Sequence, residues 1–188
     1  MRGAVRLAIP VAVAAGLVLG EAARALYEQM TTLGVGTVRV AAQSGPVVTR
    51  AVLASDASST STAFADTALS LALAANTAYT LRCVLVHTSA ATTTAPQVAL
   101  NGPASPTGLR YVVETGTSAT ATHRASQTAY DTVTNPATGG GAVALPIRVD
   151  GYIENGANAG SLVVRLRSEV NASTVTLLAR SFCELMTV

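Results

Sequence analysis

From Ala68 onward the chain is written in short segments whose large and small, or apolar and polar, residues alternate, and residues that turn a backbone divide one segment from the next. A period of two belongs to the β-strand, where successive side chains point to opposite faces. Leu69, Leu71 and Leu73 share one face, with Ala68, Ser70, Ala72 and Ala74 on the other. Tyr79, Leu81, Cys83 and Leu85 alternate with Thr80, Arg82, Val84 and Val86, and Leu162, Val164 and Leu166 with Val163, Arg165 and Arg167. Asn76-Thr77, Asn101-Gly102-Pro103 and Asn155-Gly156 are the turn signals between such segments.

Further strands are predicted at 47–53, 97–100, 109–114, 142–150, 151–154, 173–179 and 182–188, with Asp150-Gly151 read as a turn or bulge. Residues 55–62 read as a polar loop. Residues 115–141 are poor in large apolar groups and end in Gly139-Gly-Gly141; one strand near 120–127 and an exposed, mobile tip are expected within them. Eight to ten short strands at spacings of roughly eight to twelve residues predict an all-β fold, a jelly-roll-like β-sandwich. Strands and helices do not alternate after residue 30, which argues against an α/β fold.

Composition limits how such a sandwich is stabilised. Aromatic residues are 4% of the chain and Trp is absent, so the core must come from Val, Leu and Ala, which bury less area each. Charged residues are 12%, about half the usual ~25%. All twelve basic residues are Arg, spread singly, and the net charge is +2; this gives no support to nucleic-acid binding. A lightly charged surface rich in Thr, Ser and Ala suits a protein packed against neighbours in an assembly.

The first thirty residues differ in kind. Arg2 and Arg6 lead into an apolar run from Leu7 to Gly20, shorter than the ~20 residues that span a membrane. Residues 21–30 favour helix, with Leu26 and Met30 on one face. A cleaved leader, a membrane anchor and an apolar helical arm that packs into a partner all fit; the arm is the expectation carried forward. Residues 31–54 read as a transition broken by Gly34 and Gly36, with a short strand at 37–41. The expected organisation is therefore an N-terminal helical or extended arm, 1–52, and a β-sandwich assembly domain, 53–188.

Reactive groups are sparse. His87 and His123 stand apart, without Cys, Asp or Glu at metal-ligand spacing; His87 is expected at a strand rim and His123 in solvent. There is no nucleophile elbow and no phosphate-binding or dinucleotide loop, and the carboxylates are scattered. No catalytic, cofactor or metal residues are assigned. Cys83 and Cys183 read as small buried apolar side chains, with a disulfide open should adjacent strands and an oxidising setting allow it. Arg165, Arg167, Glu169 and Arg180 are the candidate subunit-interface residues; the alternative is that they form charge pairs across strands of their own sheet.

Four stretches carry a resemblance: Leu53 to Thr62 followed by Phe64-Ala-Asp-Thr67; Leu73 to Arg82, entering its strand through Tyr79; Thr92-Thr-Thr94 followed by Val98 to Pro103; and Gly151-Tyr-Ile153, Gly160 to Val170 and Val175 to Ser181. In this order they resemble the small structural modules of tailed-bacteriophage virions, the capsid-decorating and tail-attached proteins, over about 53–188. Comparable segments often carry Gly before the final Ser, where this chain has Arg180. The resemblance implies a non-enzymatic β-sandwich that forms a homo-oligomer, commonly a trimer, and binds major capsid or tail proteins in the virion. Two other functions stay open: a tail- or neck-attached fibre or receptor-binding module meeting host glycans through residues 115–141, and a secreted or envelope protein with a cleaved leader.

Overall fold

The protein is described by a computed structural model that covers residues 46–134, 136 and 138–188. The expected arm helix, the apolar run before it and the strand at 37–41 lie outside these residues. Among the described residues the backbone forms eleven strands and no helix: β1 (Val48–Val52), β2 (Ala57–Ser59), β3 (Ala65–Leu73), β4 (Ala78–Ser89), β5 (Pro96–Asn101), β6 (Gly108–Gly116), β7 (Thr122–Gln127), β8 (Leu145–Glu154), β9 (Gly160–Ser168), β10 (Val175–Leu177) and β11 (Phe182–Thr187). All pair antiparallel. Eight make one sheet, in the order β1-β11-β4-β8-β6-β7, with β10 beside β4 and β2 beside β10; the other three make a second sheet, β3-β9-β5. The fold is an all-β sandwich, as the alternation predicts.

Strand β4 organises the larger sheet. On one side it pairs with β8 from Ala78 to His87. On the other it pairs with β11 from Tyr79 to Val84, then with β10 from His87 to Ser89. Its odd-numbered residues from Tyr79 to Ser89 are all buried, and its even-numbered ones face outward. The core forms where Leu81 and Leu85, with Ile147, Val149 and Ile153 of β8, meet Leu69, Leu71 and Leu73 of β3 and Leu162, Val164 and Leu166 of β9. It is mostly Leu, Val and Ile, as the composition requires. Burying each such side chain contributes about 1.5–3 kcal/mol.

Two expectations are corrected by packing. Asp150-Gly151 is neither turn nor bulge, because β8 runs through it unbroken. Gly151 sits at an inward position between Leu81 and Tyr111. A Cβ there would lie 2.7 Å from Cβ of Tyr111 and 2.9 Å from the Arg110 carbonyl oxygen. The glycine makes room for the buried tyrosine of β6. The glycines that end the stretch in which an exposed tip is expected are not that tip: Gly139 and Gly141 are buried. The Gly139 N–H donates to the Thr92 carbonyl at 3.0 Å, and the Gly141 carbonyl accepts from Ser89 N–H at 2.7 Å. A Cβ on Gly139 would collide with Thr94 and Ser89, so the lack of a side chain lets this segment lie flat on the end of the sandwich. Within the loop expected at 55–62, β2 forms by pairing with β10.

Cys83 and Cys183 form a disulfide. They are directly opposite each other in the β4–β11 ladder, a juxtaposition that a sequence separation of 100 does not announce. The turn from β10 into β11 lies beside it. There the Ser181 hydroxyl accepts from Val86 N–H at 3.0 Å and donates to the Leu178 carbonyl at 2.7 Å. Arg180 adopts φ 68°, the left-handed region that glycine occupies freely. The position where comparable segments carry Gly is thus one where this backbone wants it.

Two outcomes are expected. Replacing both cysteines by alanine, Cys83→Ala with Cys183→Ala, lowers the unfolding free energy by about 2–4 kcal/mol, since it removes a cross-link over a long loop of the unfolded chain; urea unfolding measures it. Arg180→Gly raises stability by up to about 1 kcal/mol by relieving the left-handed backbone, in the same assay.

Candidate interaction surface

The smaller sheet carries two of the four expected interface residues. Arg165 and Arg167 lie two apart on the outward face of β9. Asp66 is the register partner of Arg165 on β3, and its carboxylate is 2.8 Å from Nε of Arg165. Nη1 of Arg165 donates to Asp131 at 2.8 Å, and Nη2 donates to the Phe64 carbonyl at 3.3 Å. The hydrogen bond to Asp131, more than any other contact, pushes the Arg165 guanidinium above its ordinary value. Arg167 donates from Nε to the Gln97 side-chain oxygen at 2.6 Å and from Nη1 to the Thr62 carbonyl at 3.1 Å, with its guanidinium 4.6 Å from the centre of the Phe64 ring. These two arginines therefore hold the 61–66 segment and the 131 turn against the sheet.

Glu169 is just past the end of the same strand, two residues from Arg167, and Arg180 is on the other sheet. Glu169 follows β9 and accepts from Ala95 N–H at 3.3 Å, while its own N–H donates to the Ala95 carbonyl at 3.1 Å. Arg180 is exposed at the β10–β11 turn of the other sheet. The structure brings Arg165 and Arg167 together, but it does not bring the four into one patch.

The outer face of the larger sheet forms a second surface. Across four adjacent strands, Arg50 of β1 is opposite Glu184 of β11, Glu184 is opposite Arg82 of β4, and Arg82 is opposite Asp150 of β8. The row reads plus, minus, plus, minus. Arg50 pairs with Glu184 at 3.5 Å and lies 3.9 Å above the Phe182 ring. Arg82 and Asp150 form no ion pair with any described residue. One row away stand Val52, Phe182, Val84 and Arg148; on the other side stand Val48, Met186, Thr80 and Tyr152. Val48, Val52, Tyr152 and Met186 are 59, 50, 40 and 40% exposed. Composition and spacing missed this surface because its residues lie on four separate strands.

Other reactive groups do not converge. His87 is not at a rim: it is fully buried on the inward face of β4. Its Nε2 lies 3.0 Å from the Gly116 carbonyl; a carbonyl only accepts, so Nε2 carries the proton. Nδ1 has no partner among the described residues. Burial pushes the His87 pKa below its ordinary value, with the Gly116 bond opposing. His123 is half-buried on β7, opposite Thr115. Among the described residues no three His, Cys, Asp or Glu side chains gather as a metal site would require. Tyr130, the one aromatic in residues 115–141, is half-buried against the core with its ring over Gly102, and its hydroxyl is buried. It is not presented for stacking on a sugar ring.

No family model matches this chain, and no curated protein matches it. Among solved structures, that of the infectious bursal disease virus VP2 subviral particle is similar at 11% identity and a TM-score of 0.27, covering 81% of this chain and 41% of that one. A structure of the Gx strain of that virus gives 10% identity and a TM-score of 0.27 over 81% of this chain and 43% of that one. A structure of the Gt strain gives 11% and 0.25 over 81% and 42%. The chain thus spans less than half the length of these chains. Likeness this distant fixes neither an activity nor a partner.

The buried imidazole sets a pH dependence. The unfolded chain binds a proton at about pH 6.5, whereas folded His87 resists it. Between those two values the unfolded state holds more protons, so stability falls as pH drops below about 6.5 and is restored above it. Unfolding free energies measured from about pH 7.5 to 5 are expected to show this decline, and His87→Gln is expected to flatten that part of the curve.

Proposed function

We propose that this chain is a non-enzymatic structural module of a bacteriophage virion, a homo-oligomer that decorates the capsid or associates with the head and binds the particle surface. The trimer is the form that the resemblance favours, and the part of the expected arm that precedes β1 is read as the segment that docks it. The single observation that carries the assembly reading is the outer face of the eight-stranded sheet. It presents Val48, Val52, Tyr152 and Met186 beside a row of alternating charges, and no described element covers it. The virion setting rests on the resemblance of residues 53–188 to phage virion modules. Charge at 12% of residues fits a surface meant to be packed rather than solvated.

The mechanism is mass action. A module that binds only the assembled shell stabilises that shell by an amount that grows with the logarithm of its free concentration over its dissociation constant. Particles lacking this protein are expected to lose genome at lower temperature or lower denaturant than complete ones, with the protein present in proportion to the shell subunits by quantitative mass spectrometry. Unchanged resistance together with a few copies per particle would place the module on the tail or neck instead.

A further inference from the structure

We infer that the outer face of the eight-stranded sheet is a two-fold contact between two copies of this chain, in which Arg82 of each copy meets Glu184 of the other and Arg50 meets Asp150. The inference deepens the proposed function and rests on its self-association. It gives this face a two-fold partner, so that trimers held together elsewhere on the chain would join one another through it.

Symmetry and charge together select this contact. Arg50, Glu184, Arg82 and Asp150 lie in one register row over β1, β11, β4 and β8. Plus, minus, plus, minus is antisymmetric about its midpoint, which falls between β11 and β4. A two-fold axis parallel to the strands at that midpoint lays the row on a second copy of itself with every charge opposite its counter-charge. Arg50 then faces Asp150, and Glu184 faces Arg82, twice each. A two-fold axis running along the row would instead set each charge on itself, so the pattern selects one of the two simple arrangements. In an isologous contact the same patch must be complementary to itself, and this row is.

The flanking rows agree with that axis. It places Phe182 over Val84 of the second copy and Val48 over Tyr152, and it lays Met186 beside Thr80. The same axis sets Val52, 50% exposed, against the side chain of Arg148, so the apolar matches are those of Phe182, Val84, Val48, Tyr152 and Met186. Arg82 and Asp150, which do not pair with a described residue, each gain a partner. Glu184, already 3.5 Å from its own Arg50, comes to lie between that arginine and Arg82 of the second copy, so the centre of the contact is a closed network of charges rather than isolated pairs. The Cys83–Cys183 bond lies one residue from Arg82 and Glu184 and joins the two strands between which the axis passes.

Size sets the strength. Four strands at about 4.8 Å and three rows along them cover on the order of 400 Å² per partner, below the roughly 800 Å² of a stable contact. Desolvating the charges also offsets part of their attraction. The contact is therefore weak, concentration-dependent and salt-sensitive, and it fills when many copies are held close on one particle.

A mixing experiment with the full chain tests this by sedimentation velocity. The wild type is expected to double its mass as concentration rises, from monomer to dimer or from trimer to hexamer. Arg82→Glu and Glu184→Arg are each expected to weaken association at least tenfold, since each sets like charges face to face. Mixed one to one, the two variants restore it, because the carboxylate introduced at position 82 of one chain then meets the guanidinium introduced at position 184 of the other. The double variant Arg82→Glu/Glu184→Arg also restores it. Single variants that associate like the wild type, or a mixture whose units do not double, overturn the inference. Should a single variant fail to fold, the wild type decides: association that weakens between about 0.05 and 1 M salt supports the contact, and association indifferent to salt overturns it. A wild type that stays monomeric at every concentration overturns this contact while leaving the particle-bound role to the copy-number measurement.

Discussion

The structure depends on the two-faced pairing of one strand. β4 is the longest strand and holds β8 along one edge and β11 and then β10 along the other. Its period-two alternation buries Leu81, Cys83 and Leu85 and turns Thr80, Arg82 and Val84 outward. A slip of one residue would exchange the two sets, sending the core to solvent and Arg82 into the sandwich. The disulfide to β11 forbids that slip on one side. Gly151, which lets Tyr111 close on β8, fixes the neighbouring register on the other. The inward face is thereby committed to the core, and the outward face is left with a defined pattern of charge.

Much of the sandwich was legible because its signal is local. Leu69-Leu71-Leu73, Tyr79 to Leu85 and Leu162-Val164-Leu166 each declare a strand within seven residues, and all three lie in the strands β3, β4 and β9. What was not legible is long-range. β2 is three small residues that become a strand through β10, more than a hundred positions away. Gly151 looked like punctuation because a sequence cannot display Tyr111 beside it. His87 looked peripheral because the end of an alternating run resembles a rim; its burial depends on Gly116, Leu145 and Leu177, which only the fold brings beside it.

The candidate site divides in the same way. Arg165 and Arg167 were found from their alternation with Leu166, and their contacts are with Asp66, Asp131, Gln97 and Phe64 of the same chain. Glu169 directly follows β9, two residues past Arg167, and bonds Ala95, whereas Arg180 lies on the β10–β11 turn of the other sheet. The charge row on the larger sheet has members at 50, 82, 150 and 184; only cross-strand register, which depends on the whole fold, puts them side by side. Surface recognition in a β-sandwich is therefore the part of its chemistry that a linear reading sees last.

Under the proposed pairing, the outer face of the larger sheet, which no described element covers, is where this lightly charged module meets a second copy. The most direct measurement is a single-particle or crystallographic structure of the assembled full chain. The account predicts two copies related by a two-fold axis between β11 and β4, with Arg82 of one within hydrogen-bonding distance of Glu184 of the other. An assembly that leaves Arg82, Asp150 and Tyr152 in solvent and joins its copies only through other surfaces would contradict it.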